Sequence, residues 1–244
     1  MIKHIKNVDI NFIQFGNKKG NNVVILHGWG QNIQMMKSLG EGVSENNFIT
    51  ILDLPGFGNS STPVFAWTLD DYVEALREFL KELKINNPIL IGHSFGGKIS
   101  LMYASKYKVN KLVLLASPFK KEIKKVSLKT KVLKSLKKVP LLNKLEDVAK
   151  RHIGSTDYKK ASPMMREVLV NHVNYDASGD ASKIKCPTLI VWGTSDQAVN
   201  VNDAYELEKL ISNSGTVIYE NCTHYAYLER LDQTIRVLNN FFES

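Results

Sequence analysis

Six short apolar runs, at residues 22–26, 48–52, 88–91, 111–116, 188–192 and 216–220, limit what this chain can become. Each is rich in Val, Ile and Leu with few polar interruptions, as in strands buried on both faces. Helical periodicity follows at 69–83, 98–106, 201–211 and 234–242. This alternation predicts a mainly parallel α/β sheet. Before it, residues 2–6 and 9–15, turning at Asn7-Val8, read as an antiparallel hairpin on the sheet edge. With 43% hydrophobic residues among 244, the chain can bury a sizeable core.

The alternation breaks once. From Pro118 to about Ile184 helical periodicity runs without a convincing strand, and βα alternation resumes at Cys186-Pro187. The simplest organisation is one core domain, residues 1–117 and 185–244, carrying a helical insertion at 118–184. Charge marks the same segment. Residues 118–160 hold 14 of the 32 Lys and Arg but only 4 of the 24 Asp and Glu, a local excess of +10 that leaves the rest of the chain at −2. Leu128, Val132, Leu133, Leu136 and Val139 share one face of a helix there, with Lys131, Lys134, Lys137 and Lys138 on another and Lys129 intruding on the apolar side. Pro140 ends or kinks it.

No run approaches the roughly 18–20 apolar residues that cross a bilayer, and residues 1–6 lack the apolar core of a signal peptide. The expectation is a soluble, cytoplasmic protein without a transmembrane segment. Cys186 precedes one predicted strand and Cys222 follows another; if those strands are parallel neighbours, the thiols sit at opposite ends of the sheet, beyond the roughly 7 Å reach of a disulfide. No Cys/His spacing suits a metal, and no cofactor is implied.

The chemistry is concentrated at Gly92-His93-Ser94-Phe95-Gly96, followed by Gly97 and placed between a predicted strand and a predicted helix. Gly-x-Ser-x-Gly in that context is a nucleophile elbow, a sharp turn that holds the serine strained with its hydroxyl proud of the sheet. Ser94 is therefore the candidate nucleophile, and a serine hydroxyl needs a base. His4 lies in the edge hairpin, and His152 and His172 lie in the insertion. His27 opens a loop, and the side chain of His93 is expected to point away from its neighbour's. His224, in the loop after the last predicted strand, opens at the carboxyl edge of the sheet, where ligands bind in open α/β folds. A base of this kind needs an acid to orient it. Asp196, just past the strand at 188–192, supplies one; Asp203, its nearest rival, belongs to the next helix. The chain order Ser, Asp, His fits this class of hydrolase.

Two backbone donors for an oxyanion complete the set. One is the amide of Phe95, at the start of a helix. The other is the amide of Trp29, in Leu26-His27-Gly28-Trp29-Gly30 after the first parallel strand. With these residues, the chain resembles the α/β-hydrolase superfamily over nearly its whole length. His27-Gly28-Trp29-Gly30 is similar to that family's oxyanion loop, and Asp53-Leu54-Pro55-Gly56-Phe57-Gly58-Asn59-Ser60 to its turn after the next strand, where Asp53 is structural. The resemblance implies an α/β-hydrolase fold with an eight-stranded, mostly parallel sheet, and identifies 118–184, after the sixth strand, as a helical cap.

A serine at the elbow argues against dehalogenases and epoxide hydrolases of this fold, which use aspartate. Ester hydrolysis through an acyl-enzyme is the simplest reading. Thioesterase, carbon–carbon bond hydrolase and prolyl aminopeptidase chemistry share the machinery, and a non-catalytic ligand-binding protein is the alternative of a different class. Trp29 is also a candidate to shape the substrate pocket, or simply to line the core, and Met164 and Met165 are candidates to line an acyl pocket, or to serve ordinary packing. The His-Gly-Trp-Gly loop is also similar to that of the pimeloyl-[acyl-carrier-protein] methyl ester esterases. A lysine-rich cap is suited to steering an acidic acyl-carrier protein or touching an anionic lipid surface, and equally to plain solvation. Nucleic acid is not an expected partner, because charge alone favours it.

Overall fold

The computed structural model describes residues 1–121, 157–158 and 161–244. The lysine-rich amphipathic helix predicted around 128–139, Pro140 and His152 lie outside the described residues. The eight strands are β1 (Ile2–Ile5), β2 (Val8–Gly16), β3 (Asn21–Leu26), β4 (Asn47–Leu52), β5 (Ile89–His93), β6 (Lys111–Leu115), β7 (Thr188–Gly193) and β8 (Ser214–Tyr219). They form one sheet in the order β1-β2-β4-β3-β5-β6-β7-β8. The first two pairings, β1 with β2 and β2 with β4, are antiparallel, and every later neighbour is parallel. The predicted edge hairpin and all six predicted strands are present, but β8, at the far edge of the sheet, is mostly half-buried rather than covered on both faces. The elbow strand runs two residues further than its apolar run, to His93.

The described helices are α1 (Ile33–Gly42), α2 (Leu69–Glu82), α3 (Phe95–Lys106), α4 (Pro163–Asn174), α5 (Ser178–Ala181), α6 (Asn202–Leu210), α7 (Ala226–Glu229) and α8 (Leu231–Glu243). None of them is long and apolar enough to cross a membrane. Side-chain alternation along the strands feeds two cores. Val24, Leu26, Leu90, Leu112, Leu114 and Ile190 face the side covered by α2, α3 and α6, whereas Val23, Ile25, Ile49, Ile91, Val113 and Val191 face the side covered by α1, α7 and α8. Helix α2 starts where a capping box dictates: Thr68 accepts from the Asp71 amide, and the Asp71 carboxylate accepts from the Thr68 amide.

Helix α1 has no counterpart in the sequence reading. Two glycines, Gly40 and Gly42, depress its helix propensity. Both serve close approach: a Cβ on Gly40 would lie 2.9 Å from Ile51 Cδ1, and one on Gly42 2.2 Å from Ile235 Cδ1. Helix α3 begins at Phe95, three residues before the predicted start, because Gly96 and Gly97 mask its first turn. Between β6 and β7 the described residues hold α4 and α5 and no strand. Cys186 lies before β7 and Cys222 past the end of its parallel neighbour β8, and both are free thiols.

Candidate active site

Ser94, Asp196 and His224 leave the sheet at the carboxyl ends of β5, β7 and β8. Ser94 has φ 50° and ψ −112°, a left-handed conformation that side-chain-bearing residues rarely adopt. Its amide donates to Leu115 O across the sheet at 2.9 Å, so β6 helps hold the strained turn. The flanking glycines are steric necessities. A Cβ on Gly92 would lie 2.5 Å from Gly96 O, one on Gly96 2.5 Å from His27 O, and one on Gly97 1.7 Å from Ser117 Oγ. Substituting Gly96→Ala is expected to push the 27–30 loop off the elbow and to cost about 1–3 kcal/mol, the usual range for overpacking. Urea unfolding measures this, and an unchanged midpoint would contradict it.

Asp196 and His224 are brought together by two loops sewn edge to edge. Ser195 N donates to Cys222 O at 2.9 Å, Thr194 N to Tyr219 O at 3.0 Å, and Asn221 N to Thr194 Oγ1 at 2.8 Å. Gly193 permits this approach, since a Cβ there would sit 2.2 Å from Cys222 O. His224 Nδ1 donates to Asp196 Oδ2 at 2.8 Å, and the Asp196 side chain is wholly buried. The other carboxylate oxygen accepts from Ala198 N at 2.8 Å and Val199 N at 2.9 Å, which fixes the acid's orientation. With the proton on Nδ1, Nε2 is the basic nitrogen of His224. The elbow reaches this pair through His93, whose Nε2 donates to His224 O at 3.0 Å and whose ring lies 4.8 Å from the His224 ring. The rival acid Asp203 lies in α6 and pairs with Lys120 at 3.3 Å.

The Phe95 amide stands at the N-terminus of α3, and neither it nor the Trp29 amide has an acceptor among the described residues. Gly96 N donates to His27 O at 3.1 Å, joining the elbow to the Trp29 loop. That loop is held from beneath by His27, whose Nε2 accepts from Leu54 N at 2.9 Å and whose Nδ1 donates to Gly28 O at 2.7 Å. Burial lowers the His27 pKa to about 4, so the neutral ring these bonds require is the stable form. Asp53 closes the assembly: its carboxylate accepts from Ile33 N, Asn59 N and Asn11 Nδ2 at 2.7–2.8 Å. It is a structural residue, as expected.

The side chains of Trp29 and Phe95 pack in an aromatic cluster. Trp29 meets Phe57 at 4.9 Å and Phe95 at 5.3 Å, while Tyr72 meets Phe95 at 5.2 Å, all edge to face. His172, in α4, adds a ring 4.8 Å from Phe95. It is buried, its Nδ1 has no hydrogen-bond partner among the described residues, and its pKa falls to about 3, first through burial and then through the nearby Lys98 ammonium. Met165 is buried in the same core against Gly56, where a Cβ would come within 2.6 Å of its sulfur; Met164 is half-buried beside it. Gln31 escaped the sequence reading. Its Oε1 accepts from Gly28 N at 3.0 Å and its Nε2 donates to Tyr225 Oη at 3.4 Å, tying the Trp29 loop to the His224 loop. A lone Gln in a loop gives no periodic or motif signal.

The family model of the α/β-hydrolase fold matches residues 21–138 and 127–231. The chain belongs to the α/β-hydrolase family. This hydrolase is 27% identical, over 282 residues, to the monoacylglycerol lipase ABHD6 of Bos taurus, covering all of this chain and 82% of that one. It is 23% identical over 246 residues to the pimeloyl-[acyl-carrier protein] methyl ester esterase of Aliivibrio fischeri, covering 91% and 94%. Among solved structures, MGS-M2, an α/β hydrolase from a Medee basin deep-sea metagenome library, superposes with a TM-score of 0.79 at 20% identity, covering 100% and 98% of the two chains. That last likeness concerns the fold.

Proposed function

We propose that this hydrolase cleaves a carboxylic ester, with Ser94 as nucleophile, His224 as base and Asp196 as the acid that orients it. The observation that carries the reading is the 2.8 Å bond from His224 Nδ1 to buried Asp196, beside a serine held at φ 50°. Nε2 takes the proton from Ser94 Oγ as the oxygen attacks the ester carbonyl. The amides of Trp29 and Phe95 receive the oxyanion, each worth about 2.7–4 kcal/mol in the transition state. His224 then protonates the leaving alcohol. A water that gives its proton to His224 attacks the acyl-enzyme, and the proton returns to Ser94 as the acid departs.

Residues 118–184 form the cap in this proposal, with α4 as its described wall. The rings around Phe95 favour an apolar acyl group, and the names of the lipase and esterase relatives point the same way. The lysine-rich stretch 118–160, together with the carrier-ester relative, supports a second reading in which the ester is carried by an acidic partner.

A fluorophosphonate probe is expected to label the wild-type chain and not Ser94→Ala. Absence of Ser94-dependent labelling in folded protein would remove the catalytic reading. A panel of acyl esters, thioesters and proline amides is expected to give the highest kcat/KM on esters; a maximum on either other class would reassign the reaction.

A further inference from the structure

Lys98 lies one turn into α3, and its side chain is almost fully buried although it carries a charge. Its backbone amide donates to Ser94 O at 3.0 Å, so the residue is bonded directly to the nucleophile's own carbonyl. Its ammonium donates to His172 O at 2.9 Å and Tyr175 O at 2.6 Å, and sits 5.9 Å from the centre of the Tyr175 ring. These carbonyls end α4, where the helix dipole is negative and carbonyls lack intrahelical donors. A buried ammonium is tolerated only when such acceptors surround it. An apolar side chain would fill the same space without that penalty but would not specify which carbonyls it meets.

What the ammonium holds is a wall. Met165, Val168 and His172 recur at three- and four-residue spacing and lie on one face of α4, all buried. The His172 end meets Phe95, the residue after Ser94; the Met165 end meets Gly56, in the loop after β4. A slip of α4 by a fraction of a turn would move both ends at once. A second tie limits the same region: Tyr175 Oη donates to Asp180 Oδ2 at 2.9 Å, and Ser105 Oγ of α3 donates to Asp180 Oδ1 at 3.3 Å.

We propose that Lys98 is a positioning residue, whose ammonium locks the C-terminal end of α4 to the nucleophile helix and thereby fixes the α4 wall packed on Phe95, on whose position acyl selectivity depends. The selectivity half of this rests on the ester-hydrolase reading; the locking half does not. In Lys98→Met, amides of 163–175 are expected to exchange with deuterium about tenfold faster or more, the loss that follows from removing hydrogen bonds to a charged donor, while those of β5 and β6 keep their rates. On the same grounds, kcat/KM for an octanoyl ester should fall about tenfold further than for an acetyl ester. Lys98→Arg should restore most of both, because it keeps the charge and the donors. Unchanged exchange in 163–175, or equal losses on the two esters, would overturn the proposal. So would a Met variant that fails to fold or exchanges faster throughout the sheet, since Lys98 would then be a residue of general stability. If the wild-type chain hydrolyses neither ester, the function proposed above fails, and the exchange experiment still decides whether Lys98 locks α4.

Discussion

Ser94→Ala is expected to lower kcat on the best ester by about 10⁶-fold, roughly 8 kcal/mol of transition-state stabilisation. The effect is this large because in the proposed mechanism the serine oxygen forms the new bond, and the strained backbone at φ 50° serves only to present it. His224→Ala should cost about as much, and the double variant no more than either single one, since a base without its nucleophile has nothing to deprotonate. Asp196→Asn is expected to cost about 10⁴-fold, because the amide would stabilise the wrong tautomer of a ring now bonded at 2.8 Å. Steady-state kinetics on the four variants, with circular dichroism to verify folding, check all of this. Additive losses, or Ser94→Ala retaining a hundredth of the activity, would be incompatible with a shared acyl-enzyme mechanism.

Acid is expected to unfold the protein well above the usual carboxylate range. His27, His93 and His172 are buried, and burial is the main cause holding their pKa values at about 4, about 3 and about 3. Unfolded histidine titrates near 6.5, so below that pH the unfolded chain binds three protons that the folded chain refuses. The folded pKa values are depressed. Their contribution is therefore complete above about pH 6.5 and is lost as pH falls from there toward 4 and 3. By pH 5 each ring costs about 2 kcal/mol, and the three together about 6, a large share of a typical domain's 5–15 kcal/mol. Urea unfolding at pH 7.5, 6 and 5 measures the slope. His172→Leu removes one titrating ring and should shrink the fall by about 2 kcal/mol. A stability that changes by less than about 2 kcal/mol over this range would mean the rings are solvated in the folded state.

Much of this molecule could be read from the chain. Continuous Val/Ile/Leu runs announce the inner parallel strands because strands buried on both faces carry them, whereas β8, at the sheet edge, is mostly half-buried. The elbow is legible because a sharp turn demands glycine at fixed offsets, and the order of Ser94, Asp196 and His224 follows from where loops leave such a sheet. Helix α1 was not legible: its glycines answer to Ile51 and Ile235, which are distant in sequence. The same holds for the early start of α3.

Local sequence thus determined the strands, the turn at Ser94 and the residues proposed to do the chemistry, since each depends on patterns spanning a few neighbours. Tertiary structure alone decided how they are held. His93 carries His224 by its backbone, Gln31 joins two loops 194 residues apart, and Lys98 turns a solvent-loving side chain inward to grip α4. Apart from the Tyr225 hydroxyl that Gln31 reaches, their partners are backbone carbonyls and amides, which every residue possesses. No sequence pattern marks such partners, and only folding brings them within hydrogen-bonding distance.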